Sequence, residues 1–197
     1  MTLQTIYLIR HGEVDGNILL LDREVTVTEF NHMVDHVAHE ALNARGIAQV
    51  QATVARLVGR GLACLYCSPL LRTRQTASIL AESLHLPVII RDDLYEVLPA
   101  RLPGPPDRRL SLKRAYLRSG LRLLNPFTPD TETALQAFLR IRRAWEAMTT
   151  ENRADFGVVG HQGIFRLLFL WLKISPRWTL LHSDTRNSGV SVVARCY

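Results

Sequence analysis

Thr5-Ile6-Tyr7-Leu8-Ile9-Arg10-His11-Gly12 is the stretch on which the fold turns. Its first five residues are β-prone and continuously apolar, the pattern of a central strand buried on both faces, which is the setting of a parallel sheet. The run stops at a cation, an imidazole and a glycine, so chemistry-bearing side chains stand at the strand's carboxyl end. Working outward, Asn43 is placed to cap a helix whose apolar positions are Ile47, Val50, Val54, Leu57 and Val58, until Gly59 and Gly61 stop it. A strand at Leu62 to Cys67 follows, then a helix opened by the cap and first-turn pair Ser68-Pro69 and running through Leu84, then a strand at Val88 to Ile90. Beyond the prolines at 99, 103, 105 and 106, Leu110, Leu117, Leu121 and Leu124 read as one helical stripe. Thr128-Pro129-Asp130 is expected to open a long helix to about Met148. A strand at Phe156 to Val159, a helix at Gly163 to Leu172 and a strand at Gly189 to Ala194 complete the chain. Strands alternating with helices predict an α/β three-layer sandwich, a mostly parallel central sheet with helices on both faces.

The 197 residues, 47% of them hydrophobic and 21% charged, exclude a disordered, fibrous or repeat protein and are read as a single domain, 1–197. The longest apolar run, Leu167 to Leu172, is far short of the ~20 residues that span a bilayer, and Ile6 to Ile9 is too short for a signal-peptide core. Three cysteines do not make a disulfide framework. Cys64 and Cys67 are three apart on a strand, which points them to opposite faces and marks them as structural rather than as a redox pair. A cytoplasmic protein is expected. Of 24 basic residues, 22 are arginine, and residues 101–122 hold Arg101, Arg108, Arg109, Lys113, Arg114, Arg118 and Arg122 against Asp107 alone, an excess of six that equals the net charge of the whole chain. With only Tyr116 inside, this segment lacks the interleaved aromatics of a nucleic-acid platform. No nucleic-acid and no membrane partner is expected.

Ligands of an open parallel sheet sit beyond the carboxyl ends of its strands. Three such ends carry Arg10-His11, Ser68-Pro69 leading to Arg72, and His161-Gln162-Gly163. Brought to one rim beside helix N-termini, they would make a pocket for a phosphoryl group.

At these residues the sequence resembles the histidine phosphatase superfamily, the phosphoglycerate mutase-like enzymes. The pieces that carry it are Arg10-His11-Gly12-Glu13 with Asn17, then Leu42-Asn43-Ala44-Arg45-Gly46 with Gln49 and Ala52, and Cys67-Ser68-Pro69-Leu70-Leu71-Arg72-Thr73-Arg74-Gln75-Thr76-Ala77. Leu94-Tyr95-Glu96 and Gly160-His161-Gln162-Gly163 with Arg166 follow in the same order. The resemblance implies a phosphatase that needs no cofactor and no metal. His11 would attack phosphorus to form a phosphohistidine, while Arg10 and Arg72 clamp the non-bridging oxygens. A protonated His161 would donate to them too. Asn17 and Gln162, with the backbone N–H groups near Gln162 and Gly163, would complete the pocket. Glu96 matches the family's general acid, with Glu13 a substitute or a structural support.

Two stretches depart from the family. Between Asn17 and Leu42 stand His32, His36 and His39, a helical face that could grip zinc or simply line a pocket or meet solvent. Residues from about 100 to 154 match nothing clearly and are expected to form a helical, basic insertion over the pocket. There residues 101–122 either favour a substrate with a second anionic group or pack as a solvated helix. The leading function is a metal-independent phosphomonoesterase acting on a small phosphorylated substrate. A mutase, a protein phosphohistidine phosphatase and a phospholigand-binding module without turnover are the alternatives.

Overall fold

The computed structural model describes residues 4–17, 21–128 and 131–195; Pro129 and Asp130, named above for a helix start, lie outside them. In chain order the elements are β1 (Thr5–Arg10), β2 (Glu24–Thr26), α1 (Val27–His36), α2 (Ala44–Leu57), β3 (Leu65–Cys67), α3 (Leu71–Leu84) and β4 (Val88–Ile90). Then come β5 (Arg109–Ser111), α4 (Leu112–Leu123), α5 (Ala134–Glu151), β6 (Phe156–Gly160), α6 (Gln162–Ile174), β7 (Trp178–His182) and β8 (Val190–Arg195). The main sheet runs β4-β3-β6-β1-β8-β7. Its first four strands are parallel, β8 lies antiparallel on β1, and β7 lies antiparallel on β8. This is the α/β fold with a mostly parallel sheet that the sequence predicts.

The period of two along β1 divides the core. Ile6 and Leu8 face Ile141, Trp145, Met148, Phe165 and Leu168, the inner sides of α5 and α6. Tyr7 and Ile9 face Val50, Leu57, Ala77 and Leu80 from α2 and α3. Each such side chain, fully buried, contributes about 1.5–3 kcal/mol, which is why a strand with no polar position between Ile6 and Ile9 belongs at the centre. Cys64 joins the first layer and Cys67 the second, both as free thiols. Burial pushes the Cys67 thiol up to about 12, so neither the position nor the chemistry is that of a redox pair.

A third apolar cluster stands apart from the sheet. The ribbon β2–β5 pairs Val25 with Leu110, and Val25, Val27, Phe30 and Val34 pack against Leu102, Leu110, Leu112 and Ala115. Phe30 meets Tyr116 edge to face at 5.3 Å between ring centroids. The resulting cap joins two segments that are far apart in sequence. It differs from the insertion expected over about 100–154, because α5 belongs to the main layer and α1 to the cap.

Four local expectations need correction. Leu117, Leu121 and Leu124 face outward; the buried residues of α4 are Leu112, Ala115 and Ser119. The α3 helix starts at Leu71 without a side-chain cap, so Ser68 is free for another partner. In α2, Ile47 and Val58 are exposed, Val58 because the helix has ended and Gly59 turns the chain away at φ +73°. The α5 helix opens at a capping box made by Thr133 and Gln136 rather than at Thr128. Among the described residues no helix is long and apolar enough to cross a membrane.

Candidate active site

The three strand ends meet as the parallel topology requires. The His11 N–H donates to the Gly160 carbonyl at 3.1 Å, the Ser68 N–H to Val159 at 3.1 Å, and the Ser188 N–H to His11 at 3.1 Å. The ends of β1, β3 and β6 are thereby tied into one rim.

His11 is fixed by its ring nitrogens. Nδ1 lies 2.7 Å from the Gly12 carbonyl oxygen and Nε2 lies 3.2 Å from Arg72 Nε. A carbonyl only accepts, so Nδ1 carries the proton and Nε2 keeps its lone pair. Burial first, and then the charge of Arg72, lower the His11 imidazole to about 3. The ring is therefore neutral and nucleophilic at neutral pH. Arg72 also donates to the Val37 carbonyl, which ties α3 to the cap. Arg10 donates to the Thr185 carbonyl at 2.9 Å while its buried Nε lacks a hydrogen-bond partner among the described residues.

His161 stands behind His11, with ring centroids 5.2 Å apart, and is fully buried. Its Nε2 is 2.8 Å from the Ser68 hydroxyl and its Nδ1 has no hydrogen-bond partner among the described residues. Burial and then Arg72 and His11 hold its pKa well below the usual imidazole range. Without a bound anion His161 is therefore neutral; the imidazolium is expected only beside a bound phosphate. Ser68 is a site residue that sequence reasoning missed, having been assigned to a helix cap.

Glu96 is held by backbone. Its carboxylate accepts from Val97 N–H at 2.8 Å, Ile164 N–H at 3.1 Å and Gly163 N–H at 3.2 Å. Of the backbone amides expected to receive phosphate at the start of α6, that of Gly163 is thus taken by Glu96. Burial raises the Glu96 carboxyl, against the pull of these N–H groups. The approach depends on Gly163, where a Cβ would sit 2.4 Å from Glu96 Oε1. Arg140 on α5 fixes the segment by donating to the carbonyls of Asp93 and Tyr95, both at 2.8 Å, while its other nitrogens pair with Glu132.

A cavity of about 610 Å³ opens onto these groups, lined among others by Arg10, His11, Arg72, Glu96, Gln162 and Arg166. Asn17 lies at its edge, also lining a neighbouring hollow, and accepts from the Val14 N–H at 3.3 Å. Glu13 faces that hollow instead, braced by Asn43 at 3.3 Å and Arg45 at 3.5 Å. From the cap, His32, His36 and Tyr116 line the cavity. The rings of His32 and His36 lie side by side at 6.3 Å, His39 stands apart in the turn after α1, and the described residues form no cluster of three or more metal-ligating side chains. None of the seven basic residues between 101 and 122 lines this cavity. Arg101 pairs with Asp35 and Arg109 with Glu24.

The histidine phosphatase superfamily (branch 1) matches residues 6–195. Among solved structures, a candidate alpha-ribazole-5'-P phosphatase from Escherichia coli K-12 is 26% identical, with 88% of this chain and 81% of that one covered and a TM-score of 0.62. Mycobacterial hydrolase 1 is 17% identical, covers 98% and 91%, and has a TM-score of 0.70. A mycobacterial glucosyl-3-phosphoglycerate phosphatase is 19% identical, covers 88% and 82%, and has a TM-score of 0.62. No curated protein matches at a significant level.

Proposed function

The chain belongs to the histidine phosphatase superfamily (branch 1) and is a phosphatase of that type, and we propose that it is a metal-independent phosphomonoesterase working through a phosphohistidine. The observation that carries this reading is the unprotonated Nε2 of His11 beside Arg72, with Glu96 lining the same cavity. The Nε2 lone pair forms a bond to phosphorus as the ester P–O bond breaks, and protonated Glu96 gives its proton to the leaving oxygen. Water then attacks phosphorus, its proton passes to the Glu96 carboxylate, and the P–N bond returns its electrons to Nε2. Arg10 and Arg72 hold the equatorial oxygens, since a guanidinium fork matches phosphate geometry. The orphaned Nδ1 of His161 supports a further bond to a phosphoryl oxygen, with His161 gaining its proton when the anion arrives. Asn17 and Gln162 complete the rim.

The substrate is a small phosphorylated molecule, and His32, His36 and Arg166 on the cavity wall support a second anionic group on it. The free buried thiols Cys64 and Cys67 support a cytoplasmic setting, and the chain acts as one domain. The test is phosphate release from a panel of phosphorylated metabolites with and without chelator. Release that survives chelation is expected. Loss on chelation, restored by zinc or magnesium, would overturn the metal-independent reading.

A further inference from the structure

The outward leucine stripe of α4 has no partner in the fold. Leu117, Leu121 and Leu124 recur at i, i+4 and i+7 and so share one side of the helix. Ala115 and Ser119, two residues either side of Leu117, occupy the opposite side and are buried against the cap. The stripe is 63%, 59% and 69% exposed in turn, and Phe127, just past the helix, is 89% exposed. Side chains this open stand on a ridge rather than in a groove. Beside them are Lys113, Arg114, Arg118 and Arg122. Among the described residues, none of these four, nor Arg108, has a carboxylate within ion-pairing distance. Next to the ridge, Arg108, Arg118 and Arg122 surround a hollow of about 270 Å³ floored by Leu110 and Leu121. The buried Nε of Arg122 has no hydrogen-bond partner there.

Against the expectation of no membrane partner, we propose that this face docks on an anionic membrane surface, with Leu117, Leu121, Leu124 and Phe127 entering the headgroup–acyl boundary and the flanking cations meeting lipid phosphates. A helix with an apolar ridge between basic flanks, too short to span a bilayer, has the form of an interfacial helix. The charge selects among occupants. A second copy of the chain would oppose the +6 segment with its own, and like charges repel, whereas an anionic leaflet attracts each cation. A partner that accepts a helix offers it a groove; a ridge this exposed instead fits a broad, deformable surface. The hollow of Arg108, Arg118 and Arg122 then takes a lipid headgroup phosphate, the charge-assisted partner that Arg122 lacks within the fold. This surface is separate from the catalytic cavity, so its test does not depend on the proposed chemistry.

The experiment is co-sedimentation of the full chain with vesicles of phosphatidylcholine alone and of phosphatidylcholine with phosphatidylserine. Binding is expected only with phosphatidylserine and should weaken as salt rises. Leu117→Ser with Leu121→Ser, and separately Arg114→Gln with Arg118→Gln, should each weaken it by on the order of tenfold or more. Hydrolysis of a soluble nitrophenyl phosphate should be unchanged in both variants, which shows that they fold. Sedimentation velocity without lipid is the second arm. Absence of binding, equal binding to both vesicles, or unchanged binding by the variants would overturn the proposal. So would a lipid-free dimer that Leu117→Ser with Leu121→Ser returns to monomer, which would assign the ridge to a second copy.

Discussion

Arg72 Nε donates across 3.2 Å to His11 Nε2, the nitrogen that the contact with the Gly12 carbonyl leaves unprotonated. In the proposed mechanism this contact holds the nucleophile and its clamp side by side, and an arriving phosphoryl group draws Arg72 off the Nε2 lone pair. Acid-labile, base-stable phosphate should appear on the protein during brief mixing with substrate and be absent from His11→Ala. Arg72→Lys keeps the charge and loses the fork, so kcat/KM should fall by about 10²–10³, the range for removing one transition-state donor. Label on a serine or aspartate would reject the mechanism.

Glu96→Gln should slow alkyl phosphates by on the order of 10²-fold and nitrophenyl phosphate much less, because nitrophenolate leaves without a proton. Gly163→Ala makes a sharper test. Its methyl would meet Glu96 Oε1, so the variant should show the same selectivity for leaving group with the carboxylate still present. Equal losses on both substrates would show that Gly163 supports only the start of α6.

Acid should destabilise the ligand-free protein through its buried histidines. His11 has its pKa depressed in the fold to about 3, and His161 is also lowered. The unfolded chain therefore binds more protons than the native one below about pH 6.5, so each histidine's contribution, full above that pH, declines on acidification. The slope is at most about 1.4 kcal/mol per pH unit per histidine. Raised Glu96 acts with the opposite sign nearer its own range. Chemical denaturation of wild type and His11→Gln between neutral pH and about pH 5 should give a shallower decline for the variant; parallel curves would refute the assignment.

Neutralising Arg108, Arg109 and Arg114 together should leave KM unchanged for singly and doubly anionic substrates alike, since none of the three lines the cavity. His32→Gln with His36→Gln should raise KM for the doubly anionic substrate several-fold and spare nitrophenyl phosphate. A KM that follows the arginines would return specificity to residues 101–122.

Legibility in the sequence followed burial. Ile6 to Ile9 announced the central strand because a run without polar interruption has one stable location, and Arg10, His11, Arg72 and His161 followed from the ends of such strands. Asn43 capped α2 as read, its side chain accepting from Gly46 N–H at 2.8 Å. What escaped depended on distant partners. The leucines of α4 look alike from sequence, and only docking on Phe30 and Val34 decides which side is inner. Ser68 is a plausible cap until His161, 93 residues on, claims its hydroxyl. The start of α1 carried a legible signal in Thr26 and Glu29, whose reciprocal capping box is formed; the surrounding polar residues hid the helix behind it.

Because the cap has an apolar core of its own, the molecule offers two units for local opening. The backbone at His11 is bonded to β6 on one side and to the turn before β8 on the other, in the middle of the sheet. Amides there should exchange with solvent only on global unfolding, whereas those of α1 and α4 should exchange through a lower-energy opening of the cap alone. The backbone at His11 thus keeps its place while the cap opens, and Arg72, bonded both to His11 and to the Val37 carbonyl, is the side chain through which that opening is felt at the floor of the cavity.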